Sequence, residues 1–369
     1  MILKRYIANE FLVSFVFSII ALAFVTIVSQ FFDDLRMFIE HKTTINIILL
    51  YYIYKTPYIV VQITPVSVLL ATLFSLSKLM KSNEITAMKS GGVNLNVIAS
   101  PILISSLAVS LFIFIFSETL VPYCNVKVRE TRQAKIQNIP VNYGVLRDNA
   151  TFINSDGLVF FTKFFDGEHG TMSDVSIMEF DENKNMTHRW DAKESIYLGK
   201  GNGWQLKNGY KRQFFLNEPD ENNMPKEKAE QFFNIFLPIK ESPADLSKTL
   251  KKPEELSMRE LTRYIKKLQR TGATFREELV NFYLRFSFPL ANFILCLIGI
   301  PLALLTGRKG GLIASFAISL AIGFTYWGFI ALGVALGKNG ILPALLSAWI
   351  GNLIFGFLGI YLMNIVRKY

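Results

Sequence analysis

Six stretches of this chain contain no Asp, Glu, Lys, Arg or His: residues 11–32, 56–77, 90–117, 286–307, 310–337 and 339–366. Charge is not scarce elsewhere, since the 369 residues include 39 Lys and Arg and 29 Asp and Glu. A helix needs about 20 apolar residues to cross the hydrocarbon core. One charge at its centre costs roughly 2.5–3.5 kcal/mol on the insertion scale. Six charge-free runs of this length predict six membrane-spanning helices and exclude an ordinary soluble domain. The mean hydropathy of +0.32 agrees. The first run follows only "MILKRYIANE" and is longer and bulkier than the core of a signal peptide, so it reads as a retained first span.

Cysteine and histidine are nearly missing. Cys124 and Cys296 are the two cysteines. Their spacing offers neither a metal site nor a redox pair, and Cys296 falls inside a predicted span. The three histidines, His41, His169 and His188, lie in polar, loop-like contexts. No HExxH, GxSxG or CxxC occurs. The nearest approach to a phosphate-binding loop is "GVALGKN", residues 333–339, which is one residue short, lacks the Ser/Thr and ends a predicted span. These absences point away from an enzyme: no cofactor is expected, and the chain is not expected to hydrolyse ATP itself. Gly333 and Gly337 read instead as a small-xxx-small helix-packing pair.

The net charge of +10 admits nucleic acid or a membrane surface as partner. In a membrane chain it reads as positive-inside bias with attraction to anionic lipid, and no nucleic acid is expected. Lys4 and Arg5 precede the first span; Lys78, Lys81 and Lys89 lie between the second and third; Arg308 and Lys309 between the fourth and fifth; Arg367 and Lys368 after the sixth. Six crossings place all of these on one side, so both termini are expected in the cytoplasm. The opposite side then carries residues 118–285.

That long segment opens as β structure. "GVLRDNATFINSDGLVFFTKFFDGEHGTMSDVSIMEF" alternates β-branched and aromatic runs with turn signals at 155–157 and at Asp166-Gly167. "DENKN" (181–185) reads as another turn, and "SIYLGKGNGWQLKNGYKRQFF" continues the pattern through Gly199, Gly201 and Gly203. The spacing predicts an antiparallel sandwich or roll. "LSMRELTRYIKKLQRTG" then predicts a helix. Ser257 and Glu260 have capping-box spacing, Leu256 and Leu261 suit a hydrophobic staple, and Gly272 suits the stop. Leu261, Tyr264, Ile265 and Leu268 form its apolar stripe, while Arg259, Arg263, Lys266, Lys267 and Arg270 make the rest basic. Two readings stay open: a packed helix with a solvated face, or a helix lying on the membrane interface. Pro57, Pro65 and Pro301 fall inside spans and read as static kinks.

Between the second and third spans stands "SNEITAMKSGGVN", residues 82–94. Ser82 or Asn83 can cap a short helix and Gly91 can end it. Ile85 and Met88 fall on one face, with Glu84 and Lys89 elsewhere. So short a helix is marginal alone. It is either a connector lying on the protein's own surface or a docking helix whose carboxylate meets a basic group of a partner.

At these residues the chain resembles the lipopolysaccharide-export permeases, the paired F and G subunits of an ABC transporter. "LKRYIANEF", "SNEITAMKSGGV", the β-rich segment, "LSMRELTRYIKKLQRTG" with "RFSFPLANFILCLIGIPLAL", and "GILPALLSAWIGNLIF" carry the resemblance in that order. "ENKNMTHRWDAKESIYLGKGNGWQL" and the helix after it look more G-like than F-like. The resemblance implies a non-catalytic subunit of an exporter. A second permease completes a heterodimer, a cytoplasmic ABC ATPase dimer drives it, and lipopolysaccharide leaves the inner membrane for a periplasmic bridge protein. It implies an α-helical membrane protein of six transmembrane helices (3+3) with an inserted periplasmic all-β, jellyroll-like domain. The expected layout is 1–117 for spans one to three with a coupling helix near 83–91, 118–256 for the β domain, 257–283 for a helix and connector, and 284–369 for spans four to six.

The resemblance also implies site residues. Glu84, Ile85, Met88 and Gly91 match the coupling helix that meets the ATPase. "ETLVPYCNVKVRETRQAK" is similar to the end of the third span in the G-type subunit, so Arg129 and Arg132 match residues that meet lipid phosphates, and Arg36 can join them. Arginine forks bind phosphate oxygens, and residues three apart share a helix face. Each can equally anchor ordinary phospholipid. Gln30 departs from the pattern, standing where some G-type members carry lysine. The competing readings are a permease for another envelope lipid or lipoprotein, and a membrane-tethered envelope enzyme.

Overall fold

The structure is a computed structural model that describes residues 2–137, 146–154, 157–181, 185–199, 203–219, 225–239, 241–243, 246, 255–270, 275–306 and 311–368. The chain divides into two compact units, Met1–Ile139 with Arg276–Tyr369, and Pro140–Phe275.

The first unit is helical. Its elements are α1 (Ile2–Glu40), α2 (Ile45–Lys81), α3 (Glu84–Ser90), α4 (Leu95–Glu130) leading into a π-helical turn (Thr131–Ile136), then α6 (Arg276–Thr306), α7 (Gly311–Lys338) and α8 (Ala344–Lys368). Among the described residues, six helices are long and apolar enough to cross a membrane, and each contains most of one charge-free run. Each continues past its run, as α4 does beyond Ser117. The helices remain unbroken through Pro57, Pro65 and Pro301. Arg308 and Lys309 lie outside the described residues.

Contacts between successive helices give an alternating path. Lys78 near the end of α2 pairs with Glu10 near the start of α1. The Arg285 guanidinium reaches both Glu118 carboxylate oxygens at 3.2 Å, joining the start of α6 to the late turns of α4. Lys338 at the end of α7 pairs with Glu277 at the start of α6. Gly333 and Gly337 let α8 approach: an added Cβ at either would overlap Ser347. The packing pair read from spacing is therefore a real crossing. Through this alternation both termini reach the end of the bundle that carries α3.

The interior of this unit is apolar with a few polar ties. Ile7, Val68, Leu73, Ile98, Leu295 and Ile298 belong to one buried cluster. Tyr326 donates to the Asn352 side-chain oxygen at 2.5 Å, and the Asn352 amide donates to the Ser287 carbonyl at 2.6 Å, tying α6, α7 and α8. Thr64, Ser67, Thr72, Ser106 and Ser110 are buried, and each hydroxyl returns to a carbonyl of its own helix. Asn292 differs: it is fully buried, and neither amide atom bonds a protein group.

The second unit holds a six-stranded antiparallel sheet. Its strands are β1 (Leu146–Ile153), β2 (Val159–Asp166), β3 (Thr171–Phe180), β4 (Met186–Tyr197), β5 (Trp204–Pro219) and β6 (Pro225–Leu237). They pair strictly in chain order, a meander with no crossover among the described strands. Several predicted turns are seen. Asp166 accepts from the Glu168 and His169 amides at 2.9 and 3.1 Å, and its other oxygen meets the His169 ring at 2.8 Å. That bond raises the His169 pKa above its usual value. Gly199 and Gly203 take positive φ. Residues 155, 156, 182–184, Gly201 and the Gly272 stop lie outside the described residues.

A crease crosses the whole sheet. The opposed positions Asn149 and Lys163, Lys163 and Asp174, Asp174 and Lys193, Lys193 and Asn208, and Asn208 and Phe233 all drop out of the ladder while the register on either side is unchanged. Asp174 and Asn208 are left-handed there, with φ of 47° and 52°. The inside–outside alternation slips at the same line. Buried residues step from Thr162 to Phe165, Met172 to Val175, Ala192 to Ser195 and Leu206 to Gly209. Both halves of each strand thus turn side chains to one core, which includes Phe152, Phe160, Phe165, Ile177, Trp190 and Trp204. The Trp204 indole donates to the Glu241 carbonyl at 3.0 Å. Gly209 is required at the crease, because a Cβ would come within 2.8 Å of the Phe232 ring and 2.9 Å of the Ala192 Cα.

Helix α5 (Met258–Arg270) bears out its capping box: Glu260 accepts from the Ser257 amide at 2.8 Å and its hydroxyl at 2.9 Å. Leu261, Ile265 and Leu268 are buried, while Arg259, Arg263 and Lys266 are exposed. The apolar stripe packs and the basic face is open.

The two buried asparagines described in the helical unit should behave oppositely. Asn352→Leu strands the Tyr326 hydroxyl and should cost about 1–3 kcal/mol. Asn292→Leu removes an unpaired amide and should leave stability unchanged or raised. Unfolding of the purified variants in detergent checks the order.

Candidate functional site

The residues singled out from sequence gather at the two ends of the helical unit. At one end α3 is a seven-residue helix. Its N-cap is Asn83, left-handed at φ 63°, and the Asn83 side chain makes no capping bond. Ser82 does the polar work instead, its hydroxyl donating to Glu84 Oε1 at 2.8 Å. Gly91 is the C-cap, and Gly92 supplies the left-handed turn at φ 80°. Ile85 is 2% exposed and belongs to the same buried cluster as Ile7, Phe11, Leu79 and Ile98, with Met88 packed against it. The shared face of Ile85 and Met88 thus points into the chain's own core. What α3 offers outward is the Glu84 edge with Thr86, Ala87, Lys89, Ser90 and Gly91.

One contact here was missed from sequence: Glu10 pairs with Lys78. Glu10 lies in a stretch of α1 read only as a basic flank before a span.

At the other end α1, α2 and the π-helical turn meet in an aromatic cluster. Phe38, Tyr51, Tyr52 and Ile136 are buried, with Phe31, Ile47 and Val128 against them. Ile136 is fully buried and docks the π turn to this cluster. The Tyr52 hydroxyl and the Lys55 ammonium both donate to Asp34 Oδ2, at 3.0 and 2.8 Å, and Lys55 stands 5.1 Å from the Tyr51 ring centroid. The helical segment bearing Arg129 and Arg132 is therefore fixed at the same end as Arg36. Arg36 pairs with Glu40 at 2.8 Å and is largely exposed. Arg129 is half-buried and engaged, while Arg132 is exposed. The π turn begins at Thr131, between the two arginines, so the α-helical rule that puts residues three apart on one face does not carry across the pair.

Between these ends a cleft of about 240 Å³ opens among α1, α2 and α7. Leu22, Val66, Gly323, Phe324 and Trp327 line it, with Thr26 and Gln62 as its polar groups. Gly323 keeps it narrow on one side, since a Cβ there would lie 2.9 Å from Val66. The Gln30 side-chain oxygen, further along α1, is enclosed without a hydrogen-bond partner. Among the described residues no group of three or more His, Cys, Asp or Glu is placed to hold a metal ion.

The family model described as lipopolysaccharide export system permease LptF/LptG matches residues 5–365. It spans the helices and the sheet in one match, and it covers F and G types together. Among curated proteins no match is found.

Truncating the anchor of the π turn should be costly. Ile136→Ala should lose about 2–5 kcal/mol, the range for a fully buried aliphatic side chain. Hydrogen exchange on the variant should rise first in residues 127–137.

Proposed function

The chain belongs to the lipopolysaccharide export permease family LptF/LptG, and from that premise we propose that it is one of two paired permeases of an ABC exporter. It extracts lipopolysaccharide from the inner membrane and hands it to a periplasmic bridge protein. A separate dimeric ATPase in the cytoplasm supplies the energy. Residues 182–206 and α5 favour the G type. The α3 end faces the cytoplasm, because Lys4, Arg5, Lys78, Lys81, Lys89 and Arg367 border the helices there. The termini share that side, and the sheet unit, inserted between α4 and α6, is periplasmic and jellyroll-like. Residues 1–117 and 284–369 then supply three spans each, with 118–256 and 257–283 between them.

The observation that carries this reading is α3. A seven-residue helix carrying a carboxylate on its outer edge stands between two long apolar helices, with its apolar residues engaged by the bundle. A helix so anchored passes force inward, and Glu84 keeps acceptor capacity for an arginine or lysine of the ATPase. At the other end, Arg129, Arg132 and Arg36 meet phosphate on the lipid. Arg132 is the freest of them, while Arg36 must exchange Glu40 for the ligand. The cleft among α1, α2 and α7 supports a path for acyl chains, being apolar except for Thr26 and Gln62. The sheet leaves β1 and β6 with one neighbour each, edges onto which a bridge protein can add strands. Phe233 and Phe236 stand exposed on β6.

Pull-down of the full chain should bring a second six-span permease and an ATPase. In that complex Glu84→Ala should leave assembly and stability intact while lipid released per ATP falls at least about ten-fold, the effect of losing one charge-assisted contact. Wild-type release by the variant contradicts the coupling role.

A further inference from the structure

The sheet unit, Pro140–Phe275, is inserted between Met1–Ile139 and Arg276–Tyr369, so the chain joins it to the helical unit at two points. One join continues from α4 and the other leads into α6. These two stems are seated on different helices. α4 runs on through Glu130 into the π turn, whose Ile136 is buried in one cluster with Phe38 of α1 and Tyr51 and Tyr52 of α2. The first turns of α6 rest instead on the end of α7 and the residues after it. Glu277 pairs with Lys338. A Cβ at Gly340 would overlap the Arg276 guanidinium, and one at Gly337 would come within 3.0 Å of Val280.

Glu118 and Arg285 join the stems at the edge of the apolar runs, one directly after residue 117 and the other directly before residue 286. One guanidinium nitrogen donates to both Glu118 oxygens at 3.2 Å, and the two side chains are 16% and 15% exposed. Phe114, one turn before Glu118, stacks on Phe286 beside Arg285, with ring centroids 5.7 Å apart. Asp34–Lys55 and Glu10–Lys78 tie α1 to α2, and Glu277–Lys338 ties α6 to α7. Glu118–Arg285 instead crosses from the first three spans to the last three. An ion pair this enclosed is screened little by salt. Desolvation offsets much of its attraction, so it adds little net stability, yet parting it leaves two poorly solvated charges. What such a pair fixes is a distance.

We propose that Glu118 and Arg285 are positioning residues that clasp the two stems, so that the two points from which the sheet unit is hung keep one spacing while the spans rearrange to admit lipid. The clasp serves the handover of lipid to the bridge protein, and neither its extraction nor ATP hydrolysis. This deepens, and rests on, the reading of the chain as a lipopolysaccharide permease.

The test uses the full chain assembled with its second permease and ATPase in lipid nanodiscs, with the bridge protein in solution. It measures ATP turnover, lipopolysaccharide released to the bridge protein, and cross-linking of lipopolysaccharide to a photoreactive residue at Thr26, in the cleft among α1, α2 and α7. Removing one partner strands a charge and risks unfolding, so the informative variant replaces both with apolar groups, Glu118→Leu with Arg285→Met. Yield of complex, ATP turnover and cross-linking at Thr26 should stay as in the wild type. Release should fall at least about ten-fold, the loss of one charged hydrogen-bonded contact. The exchanged pair, Glu118→Arg with Arg285→Glu, should recover release. If the Leu/Met variant releases lipid as the wild type does, the positioning role is overturned and the permease reading survives. The role is equally overturned if yield, turnover and cross-linking fall together with release, as loss of a merely structural contact would make them. If the wild-type complex neither cross-links nor releases lipopolysaccharide, the permease reading fails and takes the positioning role with it.

Discussion

Hydrocarbon cannot hydrogen-bond, and that constraint shapes the helical unit. Any backbone crossing it must satisfy its polar groups internally, and any charge left in it is costly. The chain obeys by keeping its apolar runs free of charge and closing them as helices. The hydroxyls that remain inside, such as Thr64, Thr72 and Ser110, return to carbonyls of their own helix. The Tyr326–Asn352–Ser287 tie is satisfied across three helices. Among the described residues, Asn292 and the Ser18 hydroxyl depart from this, both fully buried without a protein partner.

The same constraint pushes recognition chemistry to the ends of the helices. Glu10, Lys78, Ser82 and Glu84 lie at one end; Asp34, Tyr52, Lys55 and the arginine-bearing π turn meet at the other. Each end rests on a distinct buried cluster, Ile7, Phe11 and Ile85 under the first, Phe38, Tyr51, Tyr52 and Ile136 under the second. An exporter driven from one side of a membrane and loaded on the other needs such an arrangement. Its polar groups must act where water or headgroups reach them, and the apolar rods between must carry displacement.

How far the sequence could be read follows from which forces are local. The spans were legible because a missing charge is a property of the chain itself. The capping box of α5 and the Gly333–Gly337 crossing were legible because spacing alone specifies them. The crease was not. It depends on Asp174 and Asn208 adopting a left-handed backbone side by side with other strands, and in the sequence its three-residue steps look like the end of alternation. Strand β6, "PKEKAEQFFNIFL", was hidden by its charge, which suits an edge strand with one neighbour. At α3 the apolar face was placed correctly, but the Glu10–Lys78 pair near it joins residues 68 positions apart, and only the fold brings them together. The π turn between Arg129 and Arg132 likewise has no signature in spacing.

The proposed function requires α3 and the sheet to lie on opposite sides of one membrane. The direct measurement is compartment labelling of single-cysteine variants in intact cells, with Cys124 and Cys296 replaced by serine. Lys89→Cys, on the exposed side of α3, should react with a membrane-impermeant maleimide only after the inner membrane is opened. Lys228→Cys, exposed on β6, should react once the outer membrane alone is permeable. Labelling of both positions under the same condition would contradict the threading, and with it both the route for the lipid and the site where force is applied.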